Sequence, residues 1–234
     1  MIDLELNSTT VLRKEGKSFY WASFFLPKNS KKNAGILYSI CRYFDDIADK
    51  NSEDKTSYLK KSINEIRNNQ NNKVNLFLQK NKINNLIFID LIEGLILDQR
   101  QIRIQNKEEL IKYSYHVAVT GGLMMSKIIL LKNEKAAQSA IDLGIGMQLT
   151  NIARDVYEDS KMKRIYLPAN WIPNKSLKNL NDLHNKNSEN DERISNAIYE
   201  VIALSDKFYE NGFAGLKYIP LSTRLGIFLS LIHI

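Results

Sequence analysis

Apolar residues recur along this chain at the three- and four-residue steps that are typical of α-helices. The clearest run consists of Ile36, Leu37, Ile40, Tyr43, Phe44 and Ile47. It predicts a helix that begins near Asn33, and the same spacing in residues 86–97, 110–119 and 136–156 predicts three more helices. No stretch alternates between apolar and polar residues with a period of two, so we expect little or no sheet. The pattern therefore predicts an all-α protein.

Prolines are scarce, and their positions leave room for long helices. They are Pro27, Pro168, Pro173 and Pro220. Residues 60–85 and 174–191 are rich in lysine and asparagine, and we expect exposed helix ends and loops there. No Gly/Ser linker or repeat of fixed period divides the chain. We therefore expect one helical domain over residues 1–234.

The composition narrows the classes of partner. The 234 residues are 44% hydrophobic, which is enough for a substantial core and excludes intrinsic disorder. With 33 basic and 26 acidic residues the formal net charge is +7, which favours a nucleic acid, a phospholipid surface or a phosphorylated small molecule. Because the lysines are scattered through polar stretches without a reading motif, we expect no nucleic acid partner.

Cysteine content and the N-terminal residues bear on location. Cys41 is the single cysteine, which excludes an intrachain disulfide and a multi-cysteine zinc site and indicates a reducing compartment. The N-terminal residues lack the pattern of a signal peptide, and no apolar run reaches membrane-spanning length. We expect a cytoplasmic protein that makes peripheral contact with an anionic membrane.

An acidic cluster follows the first apolar run. Asp45 and Asp49 are four residues apart, so their carboxylates project from one face of the predicted helix, with Arg42 one turn earlier. Like charges at this spacing repel each other, which favours a bound cation. A solvated acidic face is the alternative for this cluster taken alone.

A second cluster repeats the Asp-x-x-x-Asp spacing 110 residues later. Asn151, Asp155 and Asp159 fall on one helical stripe, and Gln148 extends it by three residues. A ligand set of oxygen atoms without Cys or His suits hard cations such as Mg²⁺ or Mn²⁺. Mg²⁺ typically binds through one or two carboxylates and substrate phosphates, so two such stripes could meet around a diphosphate.

Five blocks of the chain together resemble the squalene/phytoene synthases, the head-to-head branch of the trans-isoprenyl diphosphate synthases. The blocks are SFYWASFFLP (18–27), LYSICRYFDDIAD (37–49), IEGLILD (92–98), YSYHVAVTGGLM (113–124) and QLTNIARDVYEDSKMKRIYLP (148–168). The last block is the most specific, since it combines the acidic positions, the preceding Gln and Asn, and the trailing Arg-Ile-Tyr-Leu-Pro. The resemblance implies an isoprenoid-synthase-type helical bundle around a central prenyl diphosphate pocket.

The resemblance also implies roles for single residues. Asp45, Asp49, Asp155 and Asp159 would be the catalytic aspartates, and with Asn151 they would hold Mg²⁺ against the diphosphate. The implied substrate-binding residues are Ser18, Phe19, Tyr38, Arg42, Asp98, Tyr113, Gln148, Arg154 and Tyr166.

Several of the implied substrate contacts have a structural alternative. Ser18 could instead be a helix N-cap, and the aromatic residues could be core packing. Arg42 could form an i,i+3 ion pair with Asp45, and Arg154 could pair with Glu158 at i,i+4. Each alternative predicts a contact within the folded chain.

The implied reaction is the Mg²⁺-dependent condensation of two prenyl diphosphates through a cyclopropylcarbinyl diphosphate. We expect two geranylgeranyl diphosphates to give phytoene in carotenoid biosynthesis. The alternatives are squalene or dehydrosqualene synthesis from farnesyl diphosphate, with NADPH only for squalene, and a non-catalytic relative that acts as a binding or assembly module.

The chain departs from the family pattern at two places. Family members commonly read Val-Ala-Gly-Thr-Val-Gly where this chain has Val117-Ala118-Val119-Thr120-Gly121-Gly122, which could alter chain-length preference or only repack the helix. Family members also usually continue into a further helix-length stretch beyond the segment that matches residues 220–234. We therefore expect a domain that lacks its last helix.

Overall fold

A computed structural model describes residues 8–50, 54–99, 102–129, 134–172, 188–219 and 221–231. Helices make up almost all of the described structure. The first six are α1 (Ser8–Glu15), α2 (Lys17–Ser23), α3 (Lys28–Asp49), α4 (Lys55–Arg67), α5 (Lys73–Lys80) and α6 (Asn85–Leu97). The next six are α7 (Lys107–Ser114), α8 (Thr120–Ile128), α9 (Glu134–Arg154), α10 (Val156–Lys161), α11 (Ser188–Phe213) and α12 (Leu221–Leu231). This architecture confirms the prediction of an all-α protein.

The remaining elements are short. A π-helix over Tyr115–Val119 joins α7 to α8, and 3₁₀ turns cover Ala169–Trp171 and Ala214–Tyr218. The strands β1 (Ile102–Arg103) and β2 (Arg164–Ile165) pair in parallel, with Ile102 opposite Arg164. This pairing holds the segment after α10 against the segment after α6.

The predicted helices are found with shifted ends. Helix α3 begins at Lys28 rather than near Asn33, because the extended backbone of Pro27 forms its N-cap directly after the preceding turn. Residues 110–119 divide between α7 and the π-helix, and residues 136–156 correspond to α9. No helix among the described residues is long and apolar enough to cross a membrane.

The expectation of exposed helix ends and loops in residues 60–85 is confirmed only in part, because the turns are limited to residues 68–72 and 81–84. Helices α4 and α5 occupy most of this stretch and bury Leu59, Ile66 and Leu78 almost completely. The Lys and Asn residues lie mainly on the outer face, and two asparagines stabilise helix starts: the Asn72 side chain accepts a hydrogen bond from the Asn75 amide, and Asn84 caps α6 in the same way. In the second polar stretch, residues 173–187 lie outside the described residues and Ser188 begins α11.

Two hydrophobic clusters form the core. The first joins α3, α4, α5, α6 and α8, with Phe44 and Phe88 packed edge to face at 5.4 Å between ring centroids. The second joins α7, α9 and α11 to the two strands and centres on Leu110, Leu149 and Val201. The first acidic motif lies on α3 and the second at the end of α9. Each acidic motif therefore lies on, or directly after, a helix that packs into one of the two clusters.

Candidate active site

The first acidic motif occupies the last two turns of α3. The Arg42 guanidinium donates from one nitrogen to Oδ2 of Asp45 at 2.9 Å and from Nε to Oδ1 of Asp46 at 2.8 Å. Burial raises the pKa of the Asp45 carboxyl and repulsion from Asp49 raises it further, whereas Arg42 lowers it. The expected i,i+3 pair of Arg42 is therefore present, and it leaves the negative charge of this motif only partly compensated.

The second acidic motif spans a break between two helices. Helix α9 ends at Arg154, and Asp155 adopts a non-helical backbone before α10 begins. The Asp155 amide still donates to the carbonyl of Asn151 at 2.9 Å, and the Asp159 amide donates to the carbonyl of Asp155 at 2.8 Å. Hydrogen bonds between residues four apart are therefore present on both sides of the break, and they link Asn151, Asp155 and Asp159 in sequence.

Arg154 pairs with a different residue from the one expected. Its Nε and one terminal nitrogen each donate to the Asp155 carboxylate at 2.6 Å, in a fork between chain neighbours. The contact lies where the helix is broken at Asp155. The structural alternative, a pair with Glu158, is wrong.

Asp98 lies between the two motifs at the C-terminal end of α6. Its Oδ1 accepts a hydrogen bond from the Tyr113 hydroxyl at 2.8 Å, and the hydroxyl oxygens of Tyr113 and Tyr166 are 3.0 Å apart. The two tyrosine rings stack at 4.7 Å. Burial raises the pKa of Asp98, while the Tyr113 hydrogen bond and the charge of Arg164 lower it. The positioned hydroxyls therefore favour an ionised Asp98.

Electrostatics link Asp98 to both motifs. Its charge raises the pKa of Asp45 on one side and that of Asp159 on the other, and Asp49 raises the pKa of Asp98. Burial and repulsion, mainly from Asp155, bring the pKa of Asp159 to about 6. The two stripes therefore share one negatively charged region, although they are far apart in sequence.

Arg164 is a functional candidate that the sequence analysis did not select. Its charge lowers the pKa of Asp98, of Asp159 and of Tyr166, and it lies beside Asp159 and Tyr166 in a small cleft. It begins the Arg-Ile-Tyr-Leu-Pro run of the most specific block, which was the available signal. Strand β2 fixes its position.

A cavity of about 240 Å³ adjoins these carboxylates. Asp45, Arg42 and Asp98 lie at its polar side, and Leu91 and Val117 belong to its apolar side. The other lining residues are Tyr38, Cys41, Gly94 and Leu95. A cavity with a charged side and an apolar side suits an amphiphile with an anionic head.

The remaining predicted residues are Ser18, Phe19, Gln148 and Asn151, of which Phe19 contacts a residue that lines the cavity. Phe19 contacts Tyr38 with ring centroids 6.0 Å apart. Ser18 is inside the first turn of α2, where Gly16 and not Ser18 is the N-cap, so the capping alternative is wrong. Gln148 and Asn151 are half-buried on α9.

The described residues contain no group of three His, Cys, Asp or Glu side chains that could hold a metal ion by themselves.

Comparison with known proteins agrees with this geometry. The sequence model described as "Squalene/phytoene synthase" matches residues 12–232. The chain belongs to the squalene/phytoene synthase family. It is 29% identical to the 15-cis-phytoene synthase of Enterobacter agglomerans over 90% of this chain and 77% of that protein.

Two solved structures have the same fold as this family member. A dehydrosqualene synthase aligns with a TM-score of 0.83 at 24% identity, over 98% of this chain and 83% of the other. The squalene synthase HpnC of Alicyclobacillus acidocaldarius aligns with a TM-score of 0.82 at 17% identity, over 99% and 89%. The predicted isoprenoid-synthase-type fold is confirmed, and the chain is a prenyltransferase of the phytoene/squalene synthase type.

Proposed function

We propose that this chain, acting as one domain, joins two molecules of geranylgeranyl diphosphate head to head and makes phytoene for carotenoid biosynthesis. The observation that carries the proposal is the electrostatic link of both acidic motifs through Asp98, beside a cavity with an apolar side. In this proposal the diphosphate would lie beside the carboxylates and the prenyl chain beside Leu91 and Leu95. The phytoene synthase similarity supports the C20 substrate.

Mg²⁺ is the proposed metal, and Mn²⁺ would accept the same oxygen ligands. The donor set fits, because Asp45 and Asp159 both have raised pKa values that a cation would reverse. The proposed protein ligands are Asp45, Asp49, Asn151, Asp155 and Asp159. A cation held by one carboxylate of each motif and completed by substrate phosphates needs no cluster of three acidic side chains. When bound, the ion neutralises the charge that develops on the leaving diphosphate.

Arg42 and Arg154 can change their hydrogen-bond partners from carboxylates to phosphate oxygens. Arg42 pairs with carboxylates that are about 40% exposed, and exposed ion pairs of this kind contribute about 1 kcal/mol or less. Arg154 also forms its fork at the surface. Both guanidiniums can therefore turn to diphosphate oxygens, to which they offer paired donors. Ser18 and Gln148 would add neutral donors at the edge of the same region.

The proposed reaction has two halves, and each half releases one diphosphate and one proton. In the first, one allylic diphosphate ionises, the double bond of the second substrate captures the cation, and loss of one proton gives a cyclopropylcarbinyl diphosphate. In the second, that diphosphate ionises, and rearrangement with loss of a second proton gives the hydrocarbon. The aromatic faces of Phe19, Tyr38, Tyr113 and Tyr166 would favour the cationic intermediates over the neutral reactants.

A second candidate is squalene or dehydrosqualene synthesis from farnesyl diphosphate, which the two similar folds favour. Squalene would also require a hydride from NADPH. Incubation with Mg²⁺ and either prenyl diphosphate, with and without NADPH, followed by the mass of the extracted product, separates the candidates. We expect a C40 hydrocarbon from geranylgeranyl diphosphate without NADPH. A C30 product alone would favour the second candidate, and a mass that matches neither class would contradict both.

The proposed membrane contact is the exposed side of α2 and the start of α3. Trp21 is 64% exposed and Phe24 is 52% exposed. The Lys31 ammonium lies 3.3 Å from the centre of the Phe24 ring, and Lys28 and Lys32 are exposed beside it. Aromatic rings next to lysines are typical of segments that enter the headgroup region of an anionic membrane. Such contact would bring the enzyme to its lipid-soluble product.

A further inference from the structure

The segment that carries Tyr166 is held by the segment after α6 through backbone hydrogen bonds on both sides of the tyrosine. Before it, the Ile104 amide donates to the carbonyl of Ile165 at 3.1 Å, next to the pairing of β1 with β2. After it, the Ala169 amide donates to the carbonyl of Ile104 at 3.0 Å. Tyr166 therefore begins a short stretch, residues 166–168, between two fixed points of the backbone.

Arg103 contacts this stretch in its middle. Its Nη1 donates to the carbonyl of Leu167 at 2.8 Å and to the carbonyl of Ile104 at 3.1 Å. No backbone amide among the described residues donates to the Leu167 carbonyl, and Pro168 beside it has no amide hydrogen with which to pair. The guanidinium therefore supplies a hydrogen bond that the backbone does not make, directly after Tyr166.

The Arg103 side chain is half-buried without an acidic partner. Both of its acceptors are neutral carbonyls, and no carboxylate in the described part of the chain pairs with it. Burial accordingly lowers the pKa of the guanidinium. Since removal of a charge from water is unfavourable without an opposite charge, no ion pair explains this arginine. What it contributes is the position of the Leu167 carbonyl.

The residue next to that carbonyl belongs to the candidate active site. Tyr166 is 6% exposed and stacks on Tyr113, and its hydroxyl oxygen lies 3.5 Å from Oδ1 of Asp98. A displacement of the backbone at Leu167 would move the Tyr166 ring relative to both partners. A shift of about 1 Å in a positioned group can lower the rate of an enzyme about a hundredfold.

We propose that Arg103 is a positioning residue for the prenyltransferase reaction, and that it acts by fixing the Tyr166 hydroxyl beside Asp98. The inference rests on the proposed function only in that the site binds a prenyl diphosphate. It holds for either substrate chain length, because it concerns the carboxylate side of the cavity and not the apolar side.

The test is a double-mutant cycle that combines Arg103→Met with Tyr166→Phe. Methionine keeps an unbranched side chain and removes the donors. With whichever prenyl diphosphate the wild type uses, we expect Arg103→Met to lower kcat for diphosphate release at least about tenfold, with little change in KM. In the Tyr166→Phe background the same change should have a much smaller effect, because the hydroxyl that Arg103 positions is already absent. Arg103→Lys keeps a charged donor and should recover part of the activity.

Hydrogen exchange measured by mass spectrometry tests the same contact without turnover. In Arg103→Met we expect faster exchange of the Ala169 and Asn170 amides, which bond to residues 104 and 105, and unchanged exchange in α3 and α11. The control is Arg67→Met on the exposed side of α4, which should change neither kcat nor this exchange.

Three results would overturn the inference. They are additive losses of kcat in the cycle, unchanged exchange over residues 163–170 in Arg103→Met, and faster exchange throughout the chain in both Arg103 variants, which would mean that the arginine only stabilises the fold. A wild type that releases diphosphate from neither substrate would contradict the proposed function, whereas faster exchange confined to residues 163–170 would still support the contact that Arg103 makes.

Discussion

The hydroxyl of Tyr113 holds Oδ1 of Asp98 at 2.8 Å, across fifteen residues and two helices. Because this bond lowers the pKa of a carboxyl that burial raises, it helps to keep Asp98 ionised between the two acidic motifs. Tyr166 stacks on Tyr113 and fixes the direction of its hydroxyl. Tyr113 and Tyr166 therefore position the negative charge of Asp98 at the centre of the site.

Replacing Tyr113 by Phe removes this bond and keeps the ring. The pKa of Asp98 then rises further, so we expect the acid limb of the pH profile of kcat/KM to move to higher pH. The maximum should fall about tenfold, which is typical for loss of one hydrogen bond to a charged group. Tyr199→Phe is the control, because Tyr199 is 70% exposed on α11. An acid limb that stays in place in Tyr113→Phe would refute this role.

Asp159 should destabilise the folded chain at neutral pH. Its pKa is raised to about 6, so the folded state binds its proton more tightly than the unfolded state, and stability increases as pH falls from above 6 towards the ordinary value of 3.8. Asp159→Asn should therefore unfold at a higher temperature than the wild type at pH 7 without metal, and should lose this part of the pH dependence. Because Asp159 is partly exposed, the gain should be below about 1 kcal/mol.

Thermal unfolding of Asp159→Asn and the wild type at several pH values in chelator measures this difference. The exposed Glu210→Gln on α11 is the control for removal of one negative charge. A variant less stable than the wild type at pH 7 would show that Asp159 stabilises the fold, which would contradict the expected destabilisation.

Leu59 tests the core contributed by α4, the helix that runs into the lysine- and asparagine-rich stretch. Its side chain has 0% exposure in α4, so Leu59→Ala should lower the free energy of unfolding by about 2–5 kcal/mol. Leu76→Ala is the matched control in α5, where Leu76 is 54% exposed, and it should change stability by less than about 0.5 kcal/mol. Chemical denaturation of the wild type and the two variants measures both changes in the free energy of unfolding. Equal effects of the two changes would mean that α4 is not part of the core.

Helix spacing predicted the acidic faces well because each depends on a local rule. Asp45 and Asp49, and Asp155 and Asp159, needed only the four-residue repeat. The same rule applied to Leu59, Ile63 and Ile66, but the surrounding Lys and Asn residues hid the pattern.

Other features of the site are not predicted by helical spacing. The fork between Arg154 and Asp155 lies at a break in the helix that the sequence does not mark. The π-helix at Tyr115–Val119 packs against Gly144, and Arg164 acts on the carboxylate of Asp98, which lies far away in sequence. These contacts could be found only once the chain was folded.

The basic residues beside Trp21 and Phe24 should control membrane association. Replacing Lys28 and Lys32 by Glu reverses two charges next to the exposed rings, and we expect binding to phosphatidylserine vesicles to fall at least about tenfold. The matched control replaces the exposed Lys60 and Lys61 of α4 by Glu. Co-sedimentation at several salt concentrations measures the effect. If both pairs reduce binding equally, the net charge and not this surface is responsible.

Diphosphate release by Asp155→Asn tests the central claim most directly. The second motif is proposed to act through a divalent cation, and this change keeps the size of the side chain while removing its charge. With geranylgeranyl diphosphate and Mg²⁺ we expect rapid release and a C40 hydrocarbon from the wild type, and a loss of at least about a thousandfold in a variant that keeps its helical circular dichroism. Release at the wild-type rate by folded Asp155→Asn would contradict the account.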